Sequence, residues 1–279
     1  MSIWAHTLVK NEARWLWFAV ASIVEHVDKV LLWDTGSSDG TLKVVEELQK
    51  NFPAKIEFNR VKQNTAEEFP KIRQQMLDAT ESDWFLVVDG DEIWWEGSIL
   101  KVVAEIKNSG EKLESIVVPT INVVGDIFHF QPESAGKYTL AGRTGHYALR
   151  AINKSIPGLH SDSPHGTWGW ADGEGKMIQD RDKNKIKFID APYLHTTHLP
   201  RGGGRVHDLE VVKRKKKYKH EVGKSFSLDY YYPEVFFRSR PNFVPSPWES
   251  RGGRYTLQAY IETPLKIAKR RIASRRVGY

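Results

Sequence analysis

Apolar and polar positions fall into alternating blocks over the first ninety residues. Residues 3–9, 30–33, 55–61 and 84–88 read as strands, and 84–88 is apolar throughout, as in a strand buried on both faces. Between them lie helical periods. Residues 13–27 repeat Trp15, Leu16, Ala19, Ile23 and Val27 at helical spacing, with Asn11 as a candidate cap. From Thr41 to about Lys50 the apolar positions Leu42, Val45 and Leu48 share a face, and 70–79 reads as a helix with Pro70 in its first turn. Strands alternating with helices predict a parallel sheet covered by helices. Further on, 98–107 looks helical, while 115–124, 147–152, 185–189 and 192–197 read as strands.

The strand at 84–88 runs directly into Asp89, Asp91 and Glu92, and the strand at 30–33 ends at Asp34. In a parallel sheet both sets of acids belong at the carboxyl edge, where ligands bind. Asp89 and Asp91 are two apart and project to one side of an extended chain, with Gly90 between them. Carboxylates that close repel unless a cation neutralises them. Oxygen ligands suit Mg²⁺ or Mn²⁺ shared with a phosphate. The plainer alternatives are a strand-end turn with solvated acids, and an Asp34 that merely caps its own turn. The glycine loop 36–40 matches neither the dinucleotide nor the P-loop pattern, since no lysine follows Gly40.

Composition narrows the classes. The 279 residues suffice for one large α/β domain, or a domain with a C-terminal extension. Cysteine is absent, which excludes disulfide frameworks and thiolate metal sites. No apolar run approaches the roughly 18 residues of a membrane span, and no basic stretch leads into a long apolar core at the start. A soluble, cytoplasmic protein is the expectation. The net charge of +6 is concentrated in 213–219 and 266–276, which suits nucleic acid, acidic lipid or a phosphorylated acceptor, or forms a solvated face. The stretch 265–276 places Leu265, Ala268 and Ile272 on one side among basic residues, a pattern that suits peripheral contact with an anionic membrane or packing on the core.

Three motifs in order, Lys10-Asn11-Glu12, Asp-Thr-Gly-Ser-Ser-Asp-Gly-Thr at 34–41 and Asp-Gly-Asp-Glu at 89–92, resemble family 2 glycosyltransferases over roughly residues 1–100. The resemblance implies a GT-A α/β fold, a nucleotide-sugar donor (most often a UDP-sugar), a divalent metal (Mn²⁺ or Mg²⁺) and inversion at the anomeric carbon. Carried over by position, Asp34 would contact base or ribose. Asp89 would lie near ribose and metal, and Asp91 would ligate the metal. Asn11, Glu12 and Arg73 join the donor-binding candidates. One of His195 and His198 would be a further metal ligand, although residues three apart do not share a strand face. The acceptor is expected to be a glycan or glycolipid hydroxyl.

The family's base often lies in a His-Glu or Glu-Asp pair, but here His165 precedes Gly166. The base stays open among Asp172, Asp162 and His165, all in the polar loop 156–176, with Glu174 behind them. Trp168 and Trp170 in that loop either stack on a sugar or fill the core. The expected organisation is a GT-A domain over 1–205, with the donor half in 1–100 and the acceptor side in 101–205, then a basic, aromatic region over 206–279. Two other classes share some of these features: a sugar-phosphate nucleotidyltransferase, and a non-enzymatic binder of nucleic acid or anionic surfaces.

Overall fold

The computed structural model describes residues 1–279 except 64, 164–167, 203–210, 212–216 and 273–279. In chain order the elements begin with β1 (Ile3–Val9), α1 (Leu16–Ala21), β2 (Lys29–Asp34), α2 (Thr41–Asn51), β3 (Ile56–Arg60), α3 (Glu68–Asp78) and β4 (Trp84–Val87). There follow β5 (Glu92–Trp94), α4 (Glu96–Ser109), β6 (Ser115–Val124), β7 (Asp126–Phe130), β8 (Tyr138–Leu140), β9 (Arg143–Gly145) and β10 (Tyr147–Asn153). The chain closes with β11 (His160–Asp162), β12 (Gly169–Ala171), β13 (Ile186–Phe188), β14 (Tyr193–His195), β15 (Lys224–Ser225) and α5 (Gly253–Ile272).

The alternation of the first ninety residues produces the predicted parallel block, ordered β4-β1-β2-β3. Its inner strands β1, β2 and β4 are buried on both faces, whereas the edge strand β3 is largely exposed. Ile3, Ala5 and Val9 of β1 join one core with residues of α1, α2 and α4, whereas Trp4 and Leu8 join another with Ile72 and Met76 of α3. Beyond β4 the sheet turns antiparallel through β10 and β6 and continues to β7 and β15. The short β14 pairs in parallel with β6 and antiparallel with β5, so it stitches the acidic turn after β4 onto the second half of the sheet.

The helix expected over 13–27 forms only as Leu16–Ala21, although Ile23, Val24 and Val27 remain buried in the turns that follow. Asn11 does not cap it. It takes a left-handed φ of 54° and accepts the Ser38 N–H at 2.8 Å, while its own N–H donates to Ser37 Oγ at 2.8 Å. The loops after β1 and β2 are thereby locked together. From the C-terminal part, Tyr232, Val235, Phe236 and Val244 enter the main core, with Phe236 edge-on to Phe18 at 5.2 Å.

The terminal helix α5 is amphipathic in the reverse sense. Ala259 is buried, Thr263 Oγ1 accepts the Val222 N–H, Lys266 donates to the His220 carbonyl and Arg270 grips Glu221, so this largely polar face meets the protein. Leu257, Ile261, Leu265 and Ile272 lie on the opposite side and are 64–87% exposed.

Candidate active site

The parallel strands β2 and β4 flank β1, so their carboxyl ends share an edge, with Asp34 opposite Val9. There a cleft of about 840 Å³ opens, lined on this edge by Glu12, Thr35, Asp89, Gly90 and Asp91 of the three motifs and by Arg73 of α3. Gly90 is required by close approach: a Cβ there would stand 2.7 Å from Val9 Cγ1 and 3.2 Å from Glu12 Cγ.

Each acid at this edge has a cation. Asp89 meets Arg73 Nη2 at 2.6 Å. Burial pushes the Asp89 carboxyl up, but Arg73 and Arg150 outweigh it and hold the group below the ordinary range. Arg201, arriving after β14, bridges Asp91 (2.9 Å) and Glu12. Burial opposes Asp91 ionisation too, yet Arg201 and then His195 hold its carboxyl well below the usual value. Glu92, fully buried, pairs with Arg150 from β10. Burial raises it to about 7, with Arg150 pulling down and Asp89 pushing up.

Arg73 itself is 1% exposed and its guanidinium lies over Phe69 and Trp168. Its Nη2 is used by Asp89, while Nε and Nη1 meet no acceptor among the described residues. Buried, unsatisfied donors in a cleft wall are costly and point to a ligand that accepts from them.

The register of β14 sets His195 beside both Glu92 of β5 and Asn122 of β6. A chain of hydrogen bonds then fixes its tautomer. His146 Nε2 lies 3.1 Å from the Pro132 carbonyl, which only accepts, so Nε2 carries the hydrogen. Burial lowers the His146 pKa, with Lys219 and Arg270 adding to the effect against the Pro132 carbonyl, so the ring is neutral and Nδ1 bare. Nδ1 accepts from Asn122 Nδ2 at 2.8 Å, which turns Asn122 Oδ1 toward His195 Nδ1 at 3.1 Å. His195 Nδ1 thus carries a hydrogen, and its Nε2 faces Asp91 Oδ1 at 3.5 Å. An imidazole nitrogen and a carboxylate oxygen so placed are a ligand pair of the kind divalent cations take.

No cluster of three or more His, Cys, Asp or Glu forms a metal site among the described residues. Mg²⁺ and Mn²⁺ sites that borrow phosphate oxygens need only one or two protein ligands, and Asp91 with His195 fits that requirement.

The other candidates divide between the cleft wall and positions outside it. Asp34 is fully buried, with Oδ1 accepting from Gly36 N (2.9 Å) and Ser37 N (3.0 Å) and Arg60 Nε at 3.6 Å. It caps its turn and is not among the cleft's lining residues. His198 lines the cleft and donates from Nδ1 to the Lys217 carbonyl at 2.6 Å. Asp172 accepts from the backbone of Glu174 and Lys176 and pairs with Arg181. Asp162, exposed on β11, pairs across the hairpin with Gly169, a cleft residue. His165 lies outside the described residues. Trp168 and Trp170 line the cleft, and both belong to a core cluster, Trp170 buried in it and Trp168 packed against it.

A family model described as glycosyl transferase family 2 matches residues 6–165. The chain belongs to this family. The parallel block with antiparallel β10 and β6 beyond it is the mixed α/β GT-A arrangement expected of a glycosyltransferase of family 2. A TPR repeat-containing protein of Synechococcus elongatus is 30% identical over 158 residues, 57% of this chain and 33% of that protein. This chain therefore spans about a third of that relative. Among solved structures, S. aureus TarS is similar with 15% identity and a TM-score of 0.49 over 70% of this chain and 37% of TarS. Glucosyl-3-phosphoglycerate synthase from Mycobacterium tuberculosis, in complex with Mn²⁺, UDP-glucose and phosphoglyceric acid, is similar with 15% identity and a TM-score of 0.45 over 70% of this chain and 71% of that one.

Residues that the motifs did not single out complete the site. Arg150 was visible as a charge in an apolar strand, a signal that a buried acid awaits it. Asn122 and His146 carried no such signal, since their roles arise from strand register.

Proposed function

We propose that this chain is an inverting glycosyltransferase that moves a sugar from a nucleotide sugar, a UDP-sugar foremost, to an acceptor hydroxyl of a glycan or glycolipid. The observation that carries this reading is that Asp91 Oδ1 and His195 Nε2 face each other at 3.5 Å beside the half-satisfied Arg73 guanidinium in one cleft. Arg73 would donate to the donor's phosphates or base. Asp91 and His195 would hold Mn²⁺ or Mg²⁺, and Asp89 would stay ionised beside Arg73. The bound cation would offset charge on the departing diphosphate. Asn11 and Glu12 act by shape, fixing the loops that wall the donor side, and Asp34 would hold the turn that presents Thr35 to the donor.

For the base we favour Asp162 over Asp172. Arg181 already neutralises Asp172, whereas Asp162 sits opposite a cleft residue. In this reading residues 1–205 form the GT-A domain and 206–279 a C-terminal region that packs Tyr232, Val235, Phe236 and Val244 into the same main core.

The exposed face of α5 supports peripheral contact with an anionic bilayer. On the helix, Lys269 and Arg271 flank the apolar stripe of Leu257, Ile261, Leu265 and Ile272. No helix of the described residues is long and apolar enough to cross a membrane.

The test is thermal. UDP with Mn²⁺ should raise the melting temperature, Asp91→Ala should abolish the rise, and Asp162→Asn should keep it while losing transfer. Absence of any rise with nucleoside diphosphates and metal in the parent protein would overturn the donor reading.

A further inference from the structure

The half of the cleft away from β4 is strongly basic. Lys137, Lys217, Lys219, Lys266, Lys269 and Arg270 line it, with Glu262 as the acid on the wall. The acids nearby are already engaged. Glu221, 2% exposed, is held by Arg270 through two bonds of 2.5 and 2.7 Å and accepts from Gln131 at 2.7 Å. Glu262 pairs with Lys266 at 2.8 Å. Lys219 makes no ion pair among the described residues; it feels Glu221 and, against it, the like charges of Arg270, Lys266 and Lys137 on the same cleft lining. Like charges gathered in a partly desolvated wall repel each other, and the fold pays for keeping them there.

The position is specific. The cluster borders His146, whose charge environment includes Lys219, Arg270 and Glu221. His146 leads through Asn122 and His195 to Asp91. With the donor placed at the β4 edge as proposed above, this basic wall is the part of the cleft left for the acceptor.

We propose that this wall is a subsite for a phosphate group on the acceptor, so that the sugar is transferred to a hydroxyl of a phosphorylated compound. The proposal rests on the glycosyltransferase reading above. A phosphate dianion accepts from several ammonium groups at once and relieves their mutual repulsion, as a neutral sugar hydroxyl does not. The phosphate has two sources, a soluble phosphate ester or a lipid headgroup, and the second is suggested by α5, which carries Lys266, Lys269 and Arg270 of the wall and, on its outer side, the exposed apolar stripe.

The donor site is first saturated with UDP and Mn²⁺, and the melting temperature is followed on adding sn-glycerol 3-phosphate, with glycerol at matched ionic strength as control. A further rise of about 2 °C is expected with the phosphate ester alone. Lys219→Met should lose that rise while keeping the response to UDP, which shows that the variant is folded. Displacement of the ester by phosphatidic acid vesicles but not by phosphatidylcholine vesicles would assign the phosphate to a lipid; insensitivity to both would assign it to a soluble ester. Either result keeps the subsite. A normal UDP response with no phosphate response, or an undiminished one in Lys219→Met, overturns the subsite. Loss of the UDP response in the parent protein strikes the donor reading instead.

Discussion

His195 Nδ1 lies 3.1 Å from Asn122 Oδ1, and this contact decides which ring nitrogen faces Asp91. The decision originates at the Pro132 carbonyl, which forces the His146 tautomer and, through it, the orientation of the Asn122 amide. Asn122→Leu removes the relay. Titrating Mn²⁺ in the presence of UDP should show metal affinity reduced by about tenfold, the usual cost of losing an outer partner of a ligating histidine. Unchanged affinity would mean that His195 is oriented by something else.

Arg150 and Glu92 form a buried pair beneath the site. Arg150→Met leaves the carboxylate without its partner, at a cost of about 3–5 kcal/mol in urea unfolding at neutral pH. The pH dependence has a definite sign. Glu92 stands near 7 in the folded protein against an ordinary 4.5, so its contribution is fully present below 4.5 and is lost as pH rises through 7. The variant raises the folded value further, so its deficit should shrink at pH 5 and widen at pH 8.

Burial pulls the Lys219 ammonium down to about 8 from 10.5, opposed by Glu221 and reinforced by Arg270, Lys266 and Lys137, with His146 also near. A depressed value means stability present above 10.5 and lost as pH falls through 8. Lys219→Met should therefore be more stable than the parent at pH 7, by on the order of 1 kcal/mol after allowing for partial solvent access. The gap should close between pH 8 and 10.5. Melting curves in a phosphate-free buffer check this.

Ile261→Asp combined with Leu265→Asp places charge on the outer face of α5. Both sites are at least 64% exposed, so melting should shift little. Flotation with anionic vesicles should be lost. Retained flotation would show that the helix does not lie on the lipid.

The parallel block and its acidic edge were legible because they rest on local signals: period, caps and acids at strand ends. Strand β5 was not, since Glu92–Trp94 is short and exists by pairing with β14, a hundred residues away. Asn11 was read as a cap, whereas its left-handed backbone lets it clamp the next loop. Asp89 and Asp91 suggested a metal as their neutraliser. In the folded chain arginines from α3 and from the segment after β14 reach them, and sequence spacing carries no trace of that. The inverted faces of α5 needed the partners of its inner side, residues 219–222, to be known.

The β4 side of the cleft is electrically self-balanced: Arg73 answers Asp89, and Arg201 answers Asp91. The far side is not. Ionic strength should then act as a scalpel, since screening weakens long-range attraction to an unbalanced surface far more than contacts within a balanced one. Raising salt from millimolar to physiological levels would slow capture of one substrate while leaving the other's almost untouched.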